Sequence, residues 1–265
     1  MSASEPVIVV EDLEVAYGDK VVLEAVSFEV RAGEIFVILG GSGSGKTTLL
    51  RNLVGLMQPR SGRILIGGRD FTAMSANDRT EMRRKMGMCF QSSALLGSLS
   101  IADNVALPLR EHTKLEESTI DIMTRIKLEL VGLGGVEDAL PSELSGGMRK
   151  RAGIARAMAM DPELIFYDEP SAGLDPIVAA GLDQLIRTMQ STFNLTSVVV
   201  THEMESVKMI ADTVCMLEGG RVAGIGSLAE LEKSDHPYIQ QFFARRPSDE
   251  EAGDAAYARA LTGLD

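Results

Sequence analysis

Hydrophobic and polar positions alternate over the first thirty or so residues in short runs that predict β-strands: residues 7–10, then 14–17, a turn at Gly18-Asp19, and 26–30. Residues 34–39 break that alternation with an apolar run, the pattern of a parallel strand covered on both faces. A glycine-rich loop follows, then a helical pattern from Lys46 to about Leu56, ended by Pro59, Ser61 and Gly62. From about 101 to 135 the spacing is helical, with Ile120, Met123, Ile126 and Leu130 as the apolar stripe. Another helix is predicted over 145–160, stopping at Asp161-Pro162. The strand 164–167, a helix after Pro176, the strand 197–200 and a helix after Glu203 complete the pattern. Strands alternating with helices predict an α/β fold with a parallel sheet, and the helices between 75 and 160 predict an inserted helical subdomain, its bounds about 92–160. Residues 1–246 read as one domain and 247–265, rich in Ala, Asp and Glu, as a tail.

Composition narrows the functional classes. The chain has 265 residues, enough for a full core, and a formal net charge of −12. An acidic surface has no general affinity for phosphate backbones, so nucleic acid is not an expected partner. The two cysteines, Cys89 and Cys215, lack metal-ligand spacing and fit a reducing compartment. No apolar stretch approaches the ~18 residues of a spanning helix, and no signal peptide is visible. A cytoplasmic chain is expected.

The run Gly40-Gly41-Ser42-Gly43-Ser44-Gly45-Lys46-Thr47 matches G-x-x-x-x-G-K-[ST] between a predicted strand and a predicted helix. Glycines let successive N–H groups face one anion, and the helix N-terminus adds positive potential. Lys46 is expected between the β- and γ-phosphates of ATP, the Thr47 hydroxyl on Mg²⁺, and Thr48 at a further phosphate contact. The strand 164–167 leads into Asp168-Glu169. Because consecutive strand side chains point oppositely, Asp168 is expected to hold the metal and Glu169 to act as the base that orients water.

At Leu144-Ser145-Gly146-Gly147-Met148, before a basic helix, the sequence resembles the signature of ATP-binding cassette (ABC) ATPases. The resemblance spans about residues 7–245. It implies a P-loop NTPase fold of ABC type, with a mixed β-sheet core, an inserted helical subdomain and an N-terminal antiparallel β region. It implies ATPase activity in a head-to-tail homodimer, where Ser145, Gly146 and Gly147 of one copy close over ATP held by the other. Tyr17 resembles the aromatic that stacks on adenine. Gln91 resembles the glutamine that contacts Mg²⁺ and water and senses the permease, and His202 the switch histidine at the γ-phosphate. Ala172-Gly173-Leu174-Asp175 resembles the loop that crosses the dimer interface, although the commoner form begins Ser-Ala. His112 and His236 match no motif.

Met148 stands where many importers carry glutamine. With Arg149-Lys150-Arg151 and the wording of residues 90–96 and 104–112, it resembles the ATPase subunit of Mce/Mla-type lipid transporters. That branch implies an integral membrane permease docking near residues 92–104, with Leu95, Leu96, Leu99 and Ile101 as apolar anchors. It further implies a periplasmic MCE-type lipid-binding subunit reached through the permease, a possible small accessory subunit, and a place on the cytoplasmic side of the bacterial inner membrane. The tail, with Tyr257 and Leu261, and Phe242 and Phe243 before it, is expected to pack on the neighbouring ATPase. Two alternatives stand beside this reading. One is a cassette for another substrate, a small solute or a lipoprotein. The other is a non-transport cassette, disfavoured because Lys46 and Ser145 are too close in sequence for a repair-type coiled coil and only one ATPase unit is present.

Overall fold

In the computed structural model, residues 6–246 are described; the tail at 247–265, Tyr257 and Leu261 among it, lies outside the described residues. The chain opens with β1 (Pro6–Tyr17) and β2 (Lys20–Arg31), an antiparallel pair. Where two strands were predicted at the start, one strand runs through. The polar Glu11-Asp12 step between them is a bulge, with Asp12 at φ 45° and its N–H donating to Ser27 Oγ at 2.8 Å. Then come β3 (Ile35–Gly40), α1 (Lys46–Leu53), β4 (Ser61–Ile66), β5 (Arg69–Asp70), α2 (Ala76–Arg83) and β6 (Met86–Cys89). Three helices follow: α3 (Ile101–His112), α4 (Glu117–Leu130) and α5 (Gly146–Ala157). The chain continues through β7 (Leu164–Asp168), α6 (Pro176–Phe193), β8 (Thr196–Thr201), α7 (Met204–Ile210), β9 (Thr213–Glu218), β10 (Arg221–Gly226), α8 (Leu228–Leu231) and α9 (Pro237–Phe243). No helix among the described residues is long and apolar enough to cross a membrane.

The first sheet is antiparallel, in the order β2-β1-β4-β5; the second runs β10-β9-β3-β8-β7-β6, parallel except for β10. The parallel strands are buried on both faces, which is why their sequences lack polar alternation. Ile35, Val37 and Leu39 join one core with α5, α6 and α7, while Phe36 and Ile38 join the other with the antiparallel sheet and α1. Phe28 stacks on Phe36 across the two sheets, ring centroids 5.1 Å apart.

The helical insertion differs in one face from its sequence pattern. α4 buries Ile120, Thr124, Lys127 and Leu128, whereas Ile126, expected in the stripe, is exposed beside Ile122. Lys127 can sit inward because its ammonium pairs with Asp161. Ile101, expected as a permease anchor, is fully buried in the main core. Asn104 is buried too, donating to the carbonyls of Leu96, Leu99 and Ser100 and accepting from Leu96 N–H, so it shapes its own loop.

Candidate functional site

Strand register gathers the motifs. Leu39 pairs with Thr201, Asp168 with Val200, and Cys89 with Tyr167. β3, β8, β7 and β6 are adjacent and parallel, so their carboxyl ends form one edge. At or just beyond those ends lie the phosphate loop, His202, Asp168-Glu169 and Gln91. Ligand sites of open α/β sheets form at this edge.

The phosphate loop is fixed by close approaches that exclude side chains. Gly45 takes φ 98°, and a Cβ there would lie 2.6 Å from Leu23 Cδ2 of β2. β2 therefore passes beside the loop, and its hairpin carries Tyr17, which is 48% exposed. Ser42, Gly43 and Thr47 face solvent, Thr48 is half-buried, and Ser44 and Lys46 are buried. Lys46 Nζ donates to the carbonyls of Gly40 and Gly41, both at 2.8 Å. Burial lowers its pKa, and the charges of Glu169 and Asp168 pull it back up, so ammonium and acid pair share one electrostatic field.

The acid pair departs from simple strand alternation. Asp168 ends β7, but Glu169 lies beyond it in the left-handed region at φ 47°. Such a backbone costs about 1–3 kcal/mol for a non-glycine residue and persists only where surroundings enforce it. Here Glu169 N–H donates to Val200 O at 2.9 Å, and its carbonyl accepts from Lys150 Nζ at 3.1 Å. The turn, rather than the pleat, separates the two carboxylates. Glu169 Oε1 lies 2.9 Å from His202 Nδ1. Burial raises the Asp168 carboxyl, as does the Glu169 charge, while Arg51, Lys150 and Lys46 oppose the rise. Asp168 Oδ1, Glu169 Oε2 and Ser44 Oγ are buried without a hydrogen-bond partner in the protein. Buried oxygens left unpaired call for an explanation, and a bound cation or phosphate would supply one here.

The donor set fits Mg²⁺. Asp168, the Thr47 hydroxyl and the Gln91 amide are hard oxygen donors, and Mg²⁺ commonly binds one or two carboxylates plus substrate phosphates rather than an all-protein cage. No cluster of three His, Cys, Asp or Glu able to hold a metal occurs among the described residues.

The signature lies at the start of α5. Ser145 is its N-cap, Oγ accepting from Met148 N–H at 3.3 Å. A Cβ on Gly147 would lie 2.5 Å from Val178 Cγ1, so that glycine also lets α5 meet α6. Asp175 caps α6, its Oδ1 accepting from Ile177 and Val178 N–H at 3.1 Å each. Next to that cap Ile177 is 84% exposed.

Several side chains that carry no motif also reach the site. The basic run after the signature turns onto backbone carbonyls. Arg149 donates to Leu144 O, Arg151 to Val131 O at 2.9 Å, and Lys150 to Gln91 O at 2.6 Å as well as to Glu169 O. Arg156 donates to Ser93 O and Ala94 O, both at 2.7 Å. Ser93 and Ala94 are left-handed at φ 62° and 49°, so the glutamine loop is a strained turn tied to α5. Tyr238 of α9 accepts from Gly41 N–H at 2.9 Å. Buried Ser171 and Ser206 share a 3.0 Å hydrogen bond next to buried Asp183. The only advance signal for these residues was polar identity at a helical or post-strand position.

A groove of about 610 Å³ lies between the core and the helical insertion, lined by Arg83, Met88, Phe90, Ala94, Leu107 and His112 among others. The expected contact segment 92–104 touches it only through Ala94; most of its wall comes from β6, α3 and the end of α5.

The ABC transporter family model matches residues 23–172. The probable ribonucleotide transport ATP-binding protein mkl of Mycobacterium leprae (strain TN) is 44% identical over 237 residues, 89% of this chain and 68% of that protein. The intermembrane phospholipid transport system ATP-binding protein MlaF of Haemophilus influenzae is 43% identical over 239 residues, 90% of each chain. Among solved structures, the dimeric post-hydrolysis state of the ATP-binding cassette MJ0796 bound to ADP and Pi superposes with a TM-score of 0.77. It is 28% identical and covers 83% of this chain and 98% of that one.

Proposed function

The chain belongs to the ABC transporter family, as its ATP-hydrolysing cassette, and on that premise we propose that it energises a membrane lipid transporter of the Mce/Mla type. One observation supports the site assignment most: Lys46, Gln91, Asp168, Glu169 and His202 all lie at one carboxyl edge of adjacent parallel strands. Phospholipid is favoured as cargo because this chain and the phospholipid-system relative cover 90% of each other, whereas the longer mycobacterial relative is covered over 68%.

Each group has a role its position supports. The loop from Gly40 to Thr48, through those N–H groups not already held by Tyr238 or by the loop itself, and the Lys46 ammonium bind and orient phosphates, and Tyr17 offers a face for the base. Asp168, Thr47 and Gln91 would hold Mg²⁺, which when bound neutralises charge on the β- and γ-phosphates. Glu169 orients the attacking water and takes its proton, with His202 fixing the carboxylate and facing the γ-phosphate. Water-facing Ser145, with Gly146, Gly147 and the Asp175 loop, is the surface offered to a second copy, and exposed Ile177 beside it supplies apolar area. The 610 Å³ groove is where a permease helix fits, at the cytoplasmic side of the inner membrane. A periplasmic MCE-type subunit and a small accessory subunit would complete the assembly.

The test is co-purification of the full chain with its membrane partner, lipid analysis of the complex, and ATP-dependent phospholipid transfer between labelled vesicles. Bound phospholipid and transfer that stops in Glu169→Gln are the expected results. Transfer of a small solute with no lipid bound would overturn the cargo.

A further inference from the structure

α5 begins at the signature and ends against the glutamine loop. Between those ends, one side chain reaches two different functional segments: Lys150 Nζ lies 2.6 Å from Gln91 O and 3.1 Å from Glu169 O. Both partners are neutral carbonyls, so the lysine is not engaged in a surface ion pair. It is half-buried; burial lowers its pKa, and the charges of Glu169 and Asp168 are among those that oppose the fall. Glu169 is the left-handed residue at φ 47° whose N–H is already fixed to Val200 O. The lysine fixes its carbonyl. With both ends of that residue held, its backbone cannot turn, and its carboxylate rests against His202 Nδ1 and within the field of Lys46. Further along the same helix Arg156 holds Ser93 O and Ala94 O, so the glutamine loop is tied to α5 at three carbonyls. Of these two basic residues, Lys150 is the one that also holds the acid pair.

We propose that Lys150 is a positioning residue for ATP hydrolysis, locking Glu169 and the Gln91 loop to the signature helix so that the three move as one unit. This rests on the roles assigned above to Glu169, Gln91 and Ser145. Its consequence is a mechanical link. A second copy pressing on Ser145 displaces α5, and the displacement reaches the base and the permease-facing loop through the same ammonium. A carboxylate displaced by about 1 Å can lose on the order of 10²-fold in rate without loss of binding.

The test compares Lys150→Met, Lys150→Arg and Glu169→Gln in the full chain. It uses steady-state ATP hydrolysis, binding of a fluorescent ATP analogue, and amide hydrogen exchange without nucleotide. For Lys150→Met, kcat is expected to fall at least about 10-fold with KM changed less than about threefold. Exchange is expected to quicken in residues 90–94 and 168–172 alone, and Lys150→Arg is expected to restore most of kcat and both protected segments. Lys150→Met within about twofold of wild-type kcat, or exchange that quickens along the whole chain, would overturn the proposal. If Glu169→Gln is inactive while Lys150→Met is normal, this proposal alone fails; if Glu169→Gln turns over normally, the reading of the site fails with it.

Discussion

Nδ1 of His202 lies 2.9 Å from Oε1 of Glu169, joining the residue after β8 to the residue after β7. The histidine ring is largely exposed and the carboxylate largely buried, so the pair joins a solvent-facing group to a sheltered one. Glu169→Gln keeps shape and neutral hydrogen bonding but cannot accept a proton. Turnover is expected to drop by about 10²–10⁴-fold. Equilibrium binding of ATP should remain within a fewfold of wild type. Normal hydrolysis in the variant would remove Glu169 from its role.

Asp183 gives a pH signature. Burial pushes its carboxyl up to about 6 from an ordinary 3.8; the Ser206 hydroxyl beside it works the other way, and the Glu203 charge adds to the rise. Between those values the folded chain holds a proton that the unfolded chain has released, so this residue makes stability fall as pH rises through the window and leaves it level above. Asp183→Asn removes the effect. Its unfolding free energy minus that of wild type is expected to grow by up to about 3 kcal/mol from about pH 4 to pH 7, read by urea denaturation. A pH-independent difference would show that Asp183 is ionised in the fold throughout.

Tyr238 ties α9 to the phosphate loop through Gly41 N–H. Tyr238→Phe deletes the acceptor and keeps the ring. A loss of about 1 kcal/mol is expected. In a chain of this size that lowers the melting temperature by about 2–4 °C. Unchanged melting would mean that the N–H finds water at no cost.

Leu107 lines the groove assigned to the permease. Leu107→Asp places a charge on that wall, and burying it against an apolar helix is costly. Recovery of the membrane complex is expected to fall severalfold while the melting temperature of the isolated chain stays within about 2 °C. Full recovery of the complex would move the permease elsewhere.

Much of the site was legible because its chemistry is local. The phosphate loop, the acid pair and the signature are short contiguous runs whose residue types follow from anion binding. The parallel strands were legible as well, since burial on both faces leaves an unbroken apolar run at residues 35–39. What escaped depends on contacts distant in sequence. The turn that aims Glu169 is enforced by Val200 and Lys150, neither of which its own neighbours announce. Lys150 and Arg156 end on carbonyls of loops some sixty residues away in the chain, which nothing in their own helix announces. Ile126 followed a helical period and still faces outward, because Lys127 gains a partner in Asp161 that the period cannot reveal. β4 and β5 were missed where exposed polar residues such as Ser61, Arg63 and Arg69 interrupt the pattern.

The most direct measurement asks whether two copies share one nucleotide. The chain has two cysteines, both buried with thiols pushed up to about 12, so an engineered pair supplies the reactive thiols. Ser42 and Ser145 are both exposed. Ser42→Cys and Ser145→Cys, combined in a Glu169→Gln chain, are oxidised with and without ATP and resolved by mass under non-reducing conditions. The account predicts a covalent dimer that forms on ATP addition, its bond mapping to residue 42 of one copy and residue 145 of the other. A chain that binds ATP yet stays monomeric under every nucleotide condition would contradict it.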